Sequence, residues 1–181
     1  MTTIEQARQF AEIAHAGQTR KSAAAEPYIT HLQEVAADVT RFSGSHEAIM
    51  AAWLHDTIED CGVTRAQIAT AFGERVAGFV CELTDDKSLP KAERKHLQIV
   101  KAPGKSPEAA LVKLCDKMSN VRAVGMNPPD HWPLQRKVAY VDWAVAVVDA
   151  LPGVPQAASE AFEGVVRATR AALTACRPAA S

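Results

Sequence analysis

The chain has 181 residues, 48% hydrophobic and 23% charged, close to globular averages, which excludes a disordered or collagen-like polymer and suits one domain. Twenty Lys and Arg against 21 Asp and Glu leave a net charge of −1, without the basic excess that a nucleic-acid binder carries. Aromatic residues make up only 6% while alanine is abundant, a balance that favours helices over strands.

Nearly every long segment has helical periodicity. The first helix is expected from about Thr3 to Gly17, with Ile4, Ala7, Phe10, Ala11 and Ala14 on one face, Thr3 and Gln6 at capping-box spacing and Gly17 as a stop. A polar loop, 18–26, precedes Pro27, which suits the first turn of a helix running to about Arg41. Ser45 can cap a third helix through about Glu59, and Thr64 and Gln67 repeat the capping-box spacing before a short helix ending near Gly73. Further helices are expected at about 74–84, 90–102, 107–124, 133–151 and 156–175. Ser106-Pro107-Glu108 is a strong start signal, and Pro152-Gly153-Val154-Pro155 a clear break. The fold class is therefore all-α, a single domain over 1–181 of about eight or nine helices, with a core at about 3–151, a C-terminal helix at 156–175 and a frayed tail after Cys176.

The N-terminal MTTIEQARQF has no apolar signal core, and the apolar stretch Val138–Leu151 is interrupted by Asp142 and Asp149, so neither secretion nor a membrane span is expected and the location is read as cytoplasmic. Cys61, Cys81, Cys115 and Cys176 form neither a CxxC pair nor a disulfide framework. Between Lys87 and Arg122 nine basic residues stand against three acidic ones. That segment is either a solvated helix face or a site for a small polyanion.

The most informative string is Trp53-Leu54-His55-Asp56-Thr57-Ile58-Glu59-Asp60. On a helix His55 and Glu59 are an i,i+4 pair, as are Asp56 and Asp60, so four titratable groups share one sector before Gly62 ends the helix. Three carboxylates packed together repel unless a cation or protons compensate. Imidazole nitrogen with carboxylate oxygen suits manganese, iron or zinc. His31, after Pro27-Tyr28-Ile29-Thr30, and Asp116, on a helix with Leu111, Leu114, Cys115, Met118 and Val121 as its buried face, offer further ligands. The polar face of that helix presents Lys113, Asp116, Lys117 and Asn120. Lys91, Arg94 and Lys95 share another helix face and can clamp phosphates. His15, His46, His96 and His131 are read without a metal role, and Trp53 and Trp143 as core.

A histidine, a His-Asp doublet and a distant aspartate, all on helices, resemble the HD superfamily of metal-dependent phosphohydrolases. Arg20-Lys21, Pro27-Tyr28-Ile29-Thr30-His31, HDTIED, LTDDKSLPKAERK and VKLCDKMSNVR resemble the hydrolase domain of the RelA/SpoT family, in particular the stand-alone small alarmone hydrolases such as the metazoan SpoT-like enzymes. The resemblance extends from about Ala7 to about Val148.

The resemblance implies an HD-domain helical bundle in which His31, His55, Asp56 and Asp116 hold one divalent ion, usually Mn2+. It implies that Glu59 and Asp60 act on the water and the leaving oxygen. It places Arg20, Lys21, Lys91, Arg94 and Lys95 near phosphates, and Tyr28, Asn120 and Tyr140 near the nucleoside. The implied substrate is the stringent-response alarmone guanosine 3′,5′-bis(diphosphate) or its pentaphosphate, cleaved to GDP or GTP plus pyrophosphate. An HD phosphohydrolase acting on another ribose phosphate such as NADPH, or a non-catalytic nucleotide sensor, are the alternatives. The oligomeric state is left open, a homo-oligomer included. Three positions depart from the family pattern: Thr30 and Leu32 replace the asparagine and proline common around the first histidine, and Ser119 stands where tyrosine is frequent.

Overall fold

A computed structural model describes residues 3–175. Cys176 and the tail expected to fray lie outside these residues. The described chain is helical throughout, without a named strand: α1 Ile4–Ala14, α2 Ile29–Arg41, α3 His46–Leu54, α4 Thr57–Cys61, α5 Arg65–Phe72, α6 Glu74–Leu83, α7 Lys91–Lys101, α8 Pro107–Met126, α9 Leu134–Asp149 and α10 Gln156–Ala175, with a 3₁₀ turn at Ala102–Gly104 after α7.

The local start signals act as their chemistry dictates. Thr3–Gln6 and Thr64–Gln67 each form a reciprocal capping box, and the hydroxyls of Ser45 and Ser106 accept from Ala48 N and Ala109 N. Every expected helical run is present, but the third, expected from Ser45 to Glu59, is interrupted. Its backbone leaves the α-helix at His55 and Asp56, where Asp56 has φ −101° and ψ −2°, and resumes as the five-residue α4. Gly62, at φ 70°, closes that turn in the left-handed region, which glycine enters without Cβ strain. The start of α2 also moves, from Pro27 to Ile29. Pro27 instead pairs with Thr19 in an isolated bridge that folds the 18–26 loop back on itself, and its carbonyl accepts the Thr30 hydroxyl at 2.8 Å.

Helix α8 is the central element, packed on α2, α3, α6, α9 and α10. Its expected apolar face, Leu111, Leu114, Cys115, Met118 and Val121, is buried, but so are Lys113, Asp116, Lys117 and Ser119 on its polar side. A helix buried all round belongs in the middle of a bundle, and its polar residues there must find partners. The α8–α10 crossing is close at Gly125, where an added Cβ would stand 2.7 Å from Thr169 Oγ1 and 3.1 Å from Thr169 Cα. Thr169 itself donates to Val121 O at 3.0 Å. Overpacking costs about 1–3 kcal/mol, against ~1 kcal/mol of helix propensity gained by alanine. Gly125→Ala is therefore expected to lower the urea midpoint of unfolding. An unchanged midpoint would show that α10 yields at no cost.

Candidate active site

Helices α2, the α3–α4 junction and α8 bring His31, His55 and Asp116 to one point. One donor atom from each lies within 4.8 Å of the other two, and all three residues are buried. His31 Nε2 is 3.4 Å from Asp116 Oδ1 and 3.8 Å from Asp56 Oδ2. His55 Nε2 is 3.1 Å from Asp56 Oδ2 and 4.0 Å from Asp116 Oδ1. At the helix break His55 and Asp56 both turn into this cluster, His55 toward Asp116 and Asp56 toward His31 and Tyr28.

The far sides of the rings decide which nitrogen faces the cluster. His55 Nδ1 lies 2.8 Å from Ala52 O, and a carbonyl can only accept, so the proton is on Nδ1. His55 Nε2 is buried without a hydrogen-bond partner, since the nearby Asp56 oxygen is within distance but out of line. Nitrogen lone pairs facing carboxylate oxygens in a buried site are stable only with a cation or a proton among them. Burial by itself would lower the His55 pKa, but the Asp56 and Asp116 carboxylates outweigh it and raise it from 6.5 to about 9. Burial opposes ionisation of both aspartates as well. The His55 imidazole pulls Asp56 below the ordinary carboxylate range, and Lys117, with the His31 ring close by, does the same for Asp116. Two nitrogens and two carboxylates form a donor set that fits a divalent ion.

Asp116 is held from behind. Its Oδ2 receives Lys117 Nζ at 3.1 Å with Lys113 Nζ at 3.7 Å, while Oδ1 accepts from Asn120 Nδ2 at 2.6 Å. Tyr28 donates its hydroxyl to Asp56 Oδ2 and stacks on His15, with ring centroids 4.9 Å apart.

Two adjoining cavities, of about 560 and 380 Å³, open over the cluster and share Lys21, Tyr28, Asp60, Lys91, Asn120, Trp132 and Tyr140 in their walls. Arg20 and His31 line the larger. Asp56, Glu59, Arg94, Lys95 and Asp116 line the smaller, and His55 lies buried beside them. Thus the fourteen residues singled out in the sequence gather around one cleft. They are not all free to face a ligand. Glu59 accepts from Asp85 N at 3.2 Å and from Arg94 at 3.4 Å, and burial raises its pKa. Asp60 pairs with Lys87. Arg20 is buried against Glu34 and Ser119.

Sequence reasoning missed part of the wall. Trp143 packs against the core as expected, but it also lines the smaller cavity, with Lys95 Nζ and Lys117 Nζ 4.4 and 4.5 Å from its ring centroid. Trp132 and Arg136, which stack on one another, complete the rim. Only the i+3 spacing of Glu34 from His31 offered a local signal for that carboxylate.

Residues 7–143 match the family model described as the HD domain. A relative from Homo sapiens, the guanosine-3′,5′-bis(diphosphate) 3′-pyrophosphohydrolase MESH1, is 41% identical over 160 residues, which cover 87% of this chain and 89% of that protein. The Drosophila melanogaster protein of the same name is 41% identical over 147 residues, 80% of this chain and 82% of its own. A solved structure described as "A metazoan ortholog of SpoT hydrolyzes ppGpp and plays a role in starvation responses" superposes with a TM-score of 0.86 at 36% identity, covering 91% of this chain and 93% of that one.

Proposed function

The chain belongs to the HD domain family, and on that premise we propose that it hydrolyses guanosine 3′,5′-bis(diphosphate), and its pentaphosphate relative, to GDP or GTP and pyrophosphate. The observation that carries this reading is the convergence of two imidazoles and two carboxylates at the base of a cleft walled by Lys21, Lys91, Arg94, Lys95 and Arg136. A donor cluster alone would suit many metal proteins. The same cluster beneath a cationic cleft of this size suits a nucleotide bearing several phosphates.

His31, His55, Asp56 and Asp116 would hold the divalent ion, which we assign as Mn2+. When bound, such an ion polarises a phosphoryl oxygen and brings the pKa of water toward neutrality. The chain's own groups do the rest. Lys21, Lys91, Arg94 and Lys95 bind the diphosphates and balance the charge that builds on the phosphoryl oxygens. Glu59 sits among these cations with a carboxylate that burial makes more basic than usual, suited to orient a water and take its proton. Cleavage of the bond between phosphorus and the ribose 3′ oxygen leaves that oxygen in need of a proton, which we assign Asp60, paired with Lys87, to relay from solvent. Asn120 keeps Asp116 oriented, and Tyr140, packed between Trp132 and Trp143, offers an aromatic wall to the nucleoside. No helix among the described residues is long and apolar enough to cross a membrane.

Incubation with the alarmone and Mn2+ is expected to release pyrophosphate and GDP in equal amounts. Chelation should stop the reaction and added Mn2+ restore it. Faster release of orthophosphate from NADPH would move the substrate assignment, and binding without turnover would make the protein a sensor.

A further inference from the structure

The two histidines of the cluster reach the same orientation by different means. His55 is fixed by its own helix, through Ala52 O. His31 is fixed by a side chain 88 residues away, with its Nδ1 2.9 Å from Ser119 Oγ. Ser119 Oγ in turn lies 2.6 Å from Glu34 Oε2. We propose that Ser119, backed by Glu34, is a positioning residue that keeps the proton of His31 on Nδ1 and turns the Nε2 lone pair toward the metal position. The inference rests on the metal-dependent reading above.

The direction of each bond follows from counting protons. A serine hydroxyl has one proton to donate and two lone pairs. Glu34 is paired with Arg20 Nη1 at 3.2 Å and approached by Arg122 Nη1 at 3.8 Å, so it is an ionised acceptor. The Ser119 proton therefore goes to Glu34, and Ser119 can meet His31 only by accepting. Arg20 Nη2, at 3.4 Å, takes the remaining acceptor direction of Oγ. With Nδ1 committed as donor, Nε2 carries the lone pair that faces Asp116 and Asp56. Ser119 is 0% and His31 2% exposed, so no solvent competes for the bond between them. Groups that fix a ligating histidine from behind also raise its basicity, and their loss typically costs 10–100-fold in metal affinity.

The test uses the full chain, stripped of metal and titrated with Mn2+ by electron paramagnetic resonance. The ring nitrogens of His31 are read by ¹⁵N NMR at a pH where the ring is neutral, and assigned with His31→Gln. Ser119→Ala is expected to weaken Mn2+ binding about 10–100-fold and to replace a single Nδ1–H tautomer by a mixture. Glu34→Gln, which keeps the shape and removes the charge, is expected to shift both readouts in the same direction and carries the test if the first variant does not fold. Unchanged affinity and an unchanged tautomer in the folded variants would overturn the proposal. Wild-type protein that binds Mn2+ but leaves the alarmone intact would overturn the substrate reading alone. Wild-type protein that binds no Mn2+ would overturn the metal reading, while the tautomer comparison still decides where the His31 proton sits.

Discussion

Asp56→Ala is expected to abolish both metal binding and turnover, the latter by about a thousand-fold or more, because the bound ion would supply the nucleophile's acidity and the Lewis-acid charge together. Asp56 Oδ2 is the one carboxylate oxygen within 4 Å of both imidazole Nε2 atoms that also accepts the Tyr28 hydroxyl. Its removal takes away a full negative charge from a buried site and leaves Tyr28 without its acceptor. It also withdraws the chief support for the raised His55 pKa, so a proton no longer stands in as readily for the ion. Metal content by mass spectrometry and pyrophosphate release from the alarmone are the measurements. Retention of one tightly held ion per chain would show that His31, His55 and Asp116 suffice and would remove Asp56 from the ligand set.

Glu59→Gln is expected to give the opposite combination, with metal retained and turnover reduced by about 10²–10⁴-fold. The amide oxygen can still accept from Asp85 N, which now lies 3.2 Å from Glu59 Oε2, so the local fold should hold. What disappears is the negative charge facing Arg94 and the ability to take a proton. The loss should fall on kcat, with KM nearly constant or slightly lower, since an unpaired Arg94 binds phosphate at least as well. Full turnover would exclude Glu59 from the chemistry. Loss of the ion would make it a ligand.

The helical architecture was legible in the sequence because its determinants are local. A capping box at Thr3–Gln6, another at Thr64–Gln67, the Ser106-Pro107-Glu108 start and the Gly62 stop all act within one turn of the chain, and each does so in the structure. The candidate ligands were legible because His-Asp doublets and a resemblance spread over several motifs leave a signature that needs no coordinates. The chain segment in which this local reasoning failed is the one next to the chemistry. Nothing in Leu54-His55-Asp56-Thr57 announces a helix break, yet the α-helix is interrupted there, at the residues that meet Asp116 and His31.

The polar side of α8 shows the same division. Spacing grouped Lys113, Asp116, Lys117 and Asn120 on one face, as the structure has them, but a face of that composition reads as solvated. Burying it requires partners that lie far along the chain: Leu83 O for Lys113, Trp143 for Lys117 and His31 for Asp116. Ser119 was visible only as a departure from a pattern, and its bond to Glu34 joins residues 85 positions apart. By itself the sequence determined which segments are helices and which residue types can hold an ion, since periodicity, caps and ligand chemistry are properties of neighbouring residues. The packing of α2, α3 and α8 decided which nitrogen of each ring faces the Asp56–Asp116 cluster and which charges surround it, because tautomer and burial depend on groups that only the folded chain brings together.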